Sequence, residues 1–62
     1  MKPRVKLVGE NGNVYNLIRL CKKAAYEAGW SFEKIDAFVQ RVYKARDYDD
    51  ALCIMMDEFE VY

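Results

Sequence analysis

A chain of 62 residues, of which 53% are hydrophobic, is long enough for one small domain spanning residues 1–62 and too apolar to be disordered. Ten basic and ten acidic side chains cancel, which excludes a net field that would draw the whole protein to nucleic acid or a membrane. Two cysteines and no histidine exclude most metal sites, and we expect neither metal nor cofactor. The longest apolar run, Ala51–Met56, is far short of the roughly 18 residues of a membrane span. We therefore expect a reducing, cytoplasmic setting with no membrane partner.

The charges are unevenly distributed along the chain. Residues 1–28 carry six bases and two acids, a balance of +4, whereas residues 29–62 carry four bases and eight acids, a balance of −4. We expect the two halves to attract each other in the fold. A surface that is basic on one side and acidic on the other is the alternative.

The first element predicted from the sequence is a strand over residues 4–8, where Val5 and Leu7 alternate with charged residues. A turn follows at residues 9–13. Asn11-Gly12 is typical of a two-residue hairpin, which would make 14–18 a returning strand. The apolar positions after it nevertheless recur at helical spacing, with Asn13 as N-cap and Gly29 as the residue beyond the C-cap. We therefore predict a helix over residues 14–28, whose apolar positions are Val14, Leu17, Ile18, Cys21, Ala24, Ala25 and Ala28.

Two more helices follow in the pattern. Ser31 caps the second, whose predicted apolar stripe is Phe32, Ile35, Phe38, Val39, Val42 and Tyr43. Asp47 caps the third, over residues 48–57, whose predicted buried face is Tyr48, Ala51, Leu52, Met55 and Phe59.

Residues 59–62 alternate again and predict a final strand. The acids Glu58 and Glu60 would then lie across from the bases Arg4 and Lys6. The sequence thus predicts an α+β domain of order β-α-α-α-β, with three helices packed on a two-stranded sheet made by the terminal strands. Three helices in alternating directions return the last strand parallel to the first.

Four residues of the first helix predict a contact surface. Tyr15, Arg19, Lys22 and Tyr26 are spaced by four, three and four residues, which places them on one stripe beside the buried face. Exposed tyrosine beside cations is typical of protein-binding surfaces. The alternative is a set of tyrosines at the edge of the core, covered by basic side chains.

Trp30, Cys53 and Ile54 are further candidates for partner contact. Trp30 follows Gly29, where its side chain can instead fold back onto the last helical turn near Ala25. Ile54 points about 120° away from the main face of the third helix. That placement predicts either a homodimer through Cys53 and Ile54, or a monomer in which the terminal strands cover Ile54.

The turn at residues 9–13 supports a different function. Gly9, Gly12 and Asn13 lie between a strand and a helix start, where backbone N–H groups can bind an anion. The turn lacks a nucleotide-binding motif, and Glu10 would repel a phosphate. Without histidine, neither cysteine has a partner to activate it as a nucleophile, and we expect no enzymatic activity.

Three segments resemble short uncharacterised proteins encoded by bacterial phages and integrated mobile elements: the opening Val5-Lys-Leu-Val-Gly-Glu-Asn-Gly-Asn13, the helix leading to Ala28-Gly29, and the closing Met55-Met-Asp-Glu-Phe-Glu-Val61. The resemblance spans most of the chain and carries no catalytic or ligand motif. It implies a bacterial cytoplasmic setting and a host protein as the partner.

From the sequence we therefore expect a small non-enzymatic protein-interaction module that binds a host protein or a second copy of itself. The alternative is a nucleotide- or nucleic-acid-binding module that uses the turn at 9–13 and the basic N-terminal half.

Overall fold

A computed structural model describes residues 2–62, and in that range the chain forms two strands and three helices in the order β-α-α-α-β. The strands are β1 (Arg4–Val5) and β2 (Glu60–Val61), and the helices are α1 (Val14–Glu27), α2 (Phe32–Tyr43) and α3 (Tyr48–Glu58). β1 and β2 pair in parallel, with Arg4 opposite Glu60 and Val5 opposite Val61. The predicted α+β class, the element order and the strand direction are confirmed.

Each helix begins at the predicted capping residue. The side chains of Asn13, Ser31 and Asp47 accept hydrogen bonds from the backbone N–H groups of Tyr15, Lys34 and Asp50, respectively. These bonds satisfy N–H groups that have no partner within the helix. Because Asn13 starts α1 at Val14, the hairpin alternative for residues 14–18 is wrong.

α1 ends at the predicted glycine. Gly29 adopts a φ of +88°, a left-handed conformation that costs little without a Cβ atom. The N–H of Gly29 bonds to the carbonyl of Tyr26, and the N–H of Trp30 bonds to the carbonyl of Ala25. This pair of bonds is the Schellman motif, and it turns the chain sharply into α2.

The strands are shorter than predicted. β1 stops at Val5, and the chain then bends so that the N–H groups of both Leu7 and Val8 donate to the carbonyl oxygen of Tyr62, at 2.7 and 3.0 Å. Glu58 belongs to α3 and lies near Arg41 of α2, not in the sheet. Of the predicted cross-strand pairs, the structure contains Arg4–Glu60, at 3.9 Å.

α2 and α3 are joined by an ion-pair cluster on the surface. Arg41 donates to Asp57 at 3.0 Å and to Glu58 at 3.4 Å. The hydrogen bond to Asp57 is the main reason that the pKa of Arg41 is raised. Among residues 2–62 the ion pairs are Arg4–Glu60, Arg41–Asp57, Arg41–Glu58 and Arg46–Asp50, so only the first joins the basic and acidic halves of the chain.

The core lies where the three helices and the sheet meet, around a cluster of aromatic rings. The ring centroid of Phe59 lies 5.0 Å from that of Phe38 and 5.1 Å from that of Trp30. The buried apolar residues are Val5, Leu17, Ile18, Cys21, Ala25, Ile35, Phe38, Val39, Val42, Ala51, Ile54, Met55 and Phe59.

Three large side chains that were predicted to face the core, Phe32, Tyr43 and Tyr48, are exposed. Ile54, for which the sequence left a dimer interface and the core of a single chain open, is buried. α3 contacts α1, α2 and β2, so more than one of its faces is covered by the chain itself. Ile54 thus belongs to the core of a single chain, and its side chain is not exposed for a contact with a second copy.

Phe59 and Phe32 provide a matched test of this core. Phe59 is 1% exposed and Phe32 is 78% exposed. We expect Phe59→Ala to lower the free energy of unfolding by about 3–5 kcal/mol, because it removes a ring from a close-packed cluster. Since the total for so small a domain is on the order of 5 kcal/mol, this variant should retain at most about 2 kcal/mol and unfold at a much lower urea concentration than the wild type.

Phe32→Ala is the control, and we expect it to cost less than about 1 kcal/mol because its side chain lies in solvent. Urea denaturation followed by circular dichroism measures both. Equal losses for the two variants would contradict the core described above.

Candidate functional site

The four residues predicted to form a contact stripe on α1 are all exposed. Tyr15 and Tyr26 expose 68% and 66% of their surface. Arg19 and Lys22 are also exposed, and the guanidinium of Arg19 donates to the side-chain oxygen of Asn16 at 2.8 Å, which holds it along the helix. The tyrosines are therefore in solvent and not covered by basic side chains.

α2 contributes two aromatic residues to the same surface. Phe32 and Tyr43, which are 78% and 57% exposed, lie on the side of α2 that faces α1. Tyr26 and Phe32 stack with ring centroids 6.3 Å apart and an interplanar angle of 25°. We define the α1–α2 face as Tyr15, Arg19, Lys22, Tyr26, Phe32, Asp36 and Tyr43.

The two helices run antiparallel along this face. The end of α1 at Tyr26 lies beside the start of α2 at Phe32, and the start of α1 at Tyr15 lies beside the end of α2 at Tyr43. Aromatic residues therefore stand at both ends of the face, with Arg19, Lys22 and Asp36 between them.

Two hollows lie along the α1–α2 face. The central hollow is flanked by Lys22 and Asp36 and is lined by Phe32, Ile35 and Val39. The tyrosine groove, of about 250 Å³, lies at the other end, with Tyr15, Tyr43 and Tyr48 around it. Its apolar wall is formed by Val14, Ile18, Val42, Ala45 and Ala51. Apolar hollows ringed by tyrosine suit the burial of a partner's side chain.

Tyr48 connects the tyrosine groove to the turn at residues 9–13. Its hydroxyl donates to the carbonyl oxygen of Gly12, and this bond ties the start of α3 to the turn before α1. A Cβ atom at Gly12 would lie 3.3 Å from that hydroxyl, so a side chain there would press on it. The bond fixes one wall of the tyrosine groove.

The turn itself makes several internal hydrogen bonds. The side-chain oxygen of Asn11 accepts from the N–H of Asn13, and the side-chain oxygen of Asn13 accepts from the N–H of Tyr15, both at 2.9 Å. The side-chain amide of Asn16 donates to the carbonyl of Asn11. An anion at the turn or at the start of α1 would need free backbone N–H groups. The N–H groups of Asn13 and Tyr15 are already bonded to side chains of the turn.

The other predicted contact residues lie apart from this face. Trp30 is half-buried against Phe38 and Phe59, with the ammonium of Lys34 4.3 Å from its ring centroid. Cys53 is exposed on α3, but its neighbour Ile54 lies in the core. Cys53 and Ile54 therefore do not form a joint apolar surface.

Sequence reasoning missed Phe32, Tyr43 and Tyr48 as surface residues. Each is the first or last residue of its helix. Side chains at helix ends extend past the body of the neighbouring helix, so an apolar residue there is a weaker indication of burial than one in the middle. The terminal positions of these residues indicate exposure, which the helical periodicity alone does not reveal.

Neither a membrane span nor a metal cluster is found in the described part of the chain. No helix in it is both long enough and apolar enough to cross a bilayer. Within residues 2–62, no group of three potential metal-ligating side chains is close enough to hold an ion. Comparison with known proteins gives no match to any protein family, to any curated protein or to any solved structure.

The two cysteines lie in opposite environments. Cys21 is fully buried in the core, and this desolvation raises the pKa of its thiol to about 12, while Cys53 is exposed. We expect an aromatic disulfide reagent at pH 8 to modify one thiol per folded chain and two after unfolding, because only the Cys53 sulfur is accessible. Cys53→Ala should abolish the fast reaction; fast loss of both thiols would contradict the burial of Cys21.

Stability at alkaline pH should also depend on Cys21. Its thiol loses a proton near pH 9 in the unfolded chain but only near pH 12 in the folded one. The contribution of the neutral thiol is therefore complete below pH 9 and is lost as the pH rises towards 12. The difference in unfolding free energy between the wild type and Cys21→Ala should shrink over that range, and a difference that stays constant from pH 8 to pH 11 would contradict the burial of this thiol.

Proposed function

We propose that this protein is a small non-enzymatic interaction module that binds another protein through the α1–α2 face. The observation that carries the proposal is the stacked pair Tyr26 and Phe32, which lies in solvent. Burying such rings is worth about 1.5–3 kcal/mol each, and leaving them in water forfeits that gain. Aromatic residues next to arginine are the residue types that contribute most to binding at protein interfaces.

The arrangement of the face supports a protein partner over nucleic acid. A nucleic-acid surface needs a cluster of bases that neutralises several phosphates. Here Arg19 and Lys22 stand beside Asp36, which would repel a phosphate backbone. Mixed charge around apolar hollows is typical of the rim and centre of a protein interface.

The proposal of a non-enzymatic role draws on the nucleophiles of the chain. The raised pKa of Cys21 keeps its thiol protonated and unreactive at neutral pH. Cys53 is exposed, and the sequence has no histidine to activate it. The resemblance to phage and mobile-element proteins supports a bacterial host protein as the partner and the bacterial cytoplasm as the setting.

Affinity capture with matched variants tests the proposal. We expect the tagged wild-type protein to retain a specific protein from a bacterial lysate, and Tyr26→Ser with Phe32→Ser to reduce the retained amount at least about tenfold, as expected for the loss of two central aromatic contacts. The purified captured protein should shift the amide signals of α1 and α2 in a titration.

Met56→Ser is the matched control, because Met56 is an exposed apolar residue of α3 outside the α1–α2 face. This variant should capture as much as the wild type. Equal losses for Met56→Ser and the double variant, or amide shifts confined to other elements, would refute the assignment of this face.

The nucleotide- or nucleic-acid-binding alternative makes a separate prediction. Because the N–H groups of Asn13 and Tyr15 are bonded to side chains of the turn, we expect inorganic phosphate, a nucleotide panel and short DNA and RNA duplexes to leave the amide signals of Gly9, Gly12 and Asn13 unchanged. Saturable, salt-sensitive shifts at these residues would favour the alternative instead.

A further inference from the structure

The central hollow of the α1–α2 face has charges of opposite sign on its two sides. Lys22 lies on the α1 side and Asp36 on the α2 side, and both are exposed. Neither takes part in an ion pair within residues 2–62. Between them lie the apolar side chains of Ile35 and Val39. The hollow thus presents one base and one acid on opposite sides of an apolar strip.

Resting on the proposed function of this surface, we infer that the α1–α2 face binds a second copy of this chain while no other partner occupies it, with a two-fold axis that lies between α1 and α2 and runs parallel to them. This rotation lays α1 of one copy over α2 of the other. Lys22 then faces the second copy's Asp36, and Asp36 faces the second copy's Lys22. The Lys22–Asp36 contact therefore occurs twice in the interface, as two-fold symmetry requires.

The aromatic residues fit the same arrangement. An axis parallel to the helices keeps each end of the face opposite its own counterpart. The stacked pair Tyr26 and Phe32 meets the same pair of the second copy, and Tyr15 and Tyr43 do likewise at the other end. Two copies then form a four-helix arrangement in which α1 of each copy lies antiparallel to α2 of the other. Aromatic contacts stand at both ends and the charge pairs lie in the centre.

Charge disfavours a face-to-face arrangement with a different axis. A two-fold axis perpendicular to the helices would lay α1 over α1, and it would bring Arg19 and Lys22 close to their own counterparts. Like charges facing each other across an interface oppose association. The parallel axis is therefore the one that the charges favour.

The area available is in the range that a dimer needs. At about 200 Å² for a full aromatic side chain, the exposed parts of Tyr15, Tyr26, Phe32 and Tyr43 amount to about 500 Å². A stable interface buries about 800 Å² on each partner, and the aliphatic walls of the two hollows and the stems of Arg19 and Lys22 supply further area. The zero net charge of the chain adds no long-range repulsion.

Charge exchange tests the inference sharply. The wild type should sediment at twice the 7.3 kDa of one chain at micromolar concentration. Lys22→Asp alone and Asp36→Lys alone each place two like-charged pairs in the interface, and each should weaken dimerisation about tenfold or more. The double variant, with both charges exchanged, should return to within about threefold of the wild type.

The two single variants should also bind each other. In a mixture, Lys22→Asp offers two acids and Asp36→Lys offers two bases, so both pairs of the interface are attractive. The mixture should therefore form a mixed dimer, and the association should weaken with added salt. Lys23→Asp is the control: it makes the same charge change one residue away, on the side of α1 that faces the sheet, and should dimerise as the wild type does.

A wild type that stays at the mass of one chain up to millimolar concentration would overturn this inference and leave the proposed function intact. A dimer that responds equally to Lys22→Asp and Lys23→Asp, or whose single variants do not bind each other, would overturn it as well. Circular dichroism shows whether each variant is folded, which we expect because Lys22, Lys23 and Asp36 are exposed.

Discussion

The packing of Phe59 against Phe38 and Trp30 is the interaction on which the rest of this fold depends. It joins three parts of the chain: the end of α3, the middle of α2 and the turn after α1. Phe59 immediately precedes β2, so the position of its ring also decides whether Glu60 and Val61 reach β1. A two-stranded sheet is too small to be stable alone, and these helices supply the surface that it needs.

The same packing accounts for the α1–α2 face. α3 and the sheet cover the core side of α1 and α2, and apart from the start of α3 beside the tyrosine groove they leave the α1–α2 face without a cover. Tyr26 and Phe32 are too far round their helices to reach the aromatic cluster, and they stack on each other instead. The surface proposed to bind a partner is thus a consequence of where the core lies.

The elements could be predicted from the sequence because their signals are local. Asn13, Ser31 and Asp47 cap helices through bonds to residues two or three positions away, and Gly29 ends α1 through its own φ angle. Burial could not be predicted as well, because it depends on which neighbour lies beside each helix. Ile54 lies off the main predicted face of α3 yet is covered, whereas Tyr48 lies on that face yet is exposed and bonded to Gly12. The stripe on α1 could be predicted from spacing within one helix. That Phe32 and Tyr43 extend this surface could not, because it depends on how α2 packs antiparallel to α1.

The parallel pairing of β1 with β2 has a consequence for how the chain folds during synthesis. Arg4 pairs with Glu60, so the two strands are separated by almost the whole described sequence. Closing so long a loop is slow compared with forming a helix, and β1 has no other strand to pair with in this part of the chain. While it is being made, the polypeptide therefore carries an unpaired, hydrogen-bonding edge at Pro3–Leu7 until residues 60–62 emerge from the ribosome. Arg4 and Lys6 place two like charges on that edge, and charged residues on an exposed strand edge disfavour its pairing with another chain.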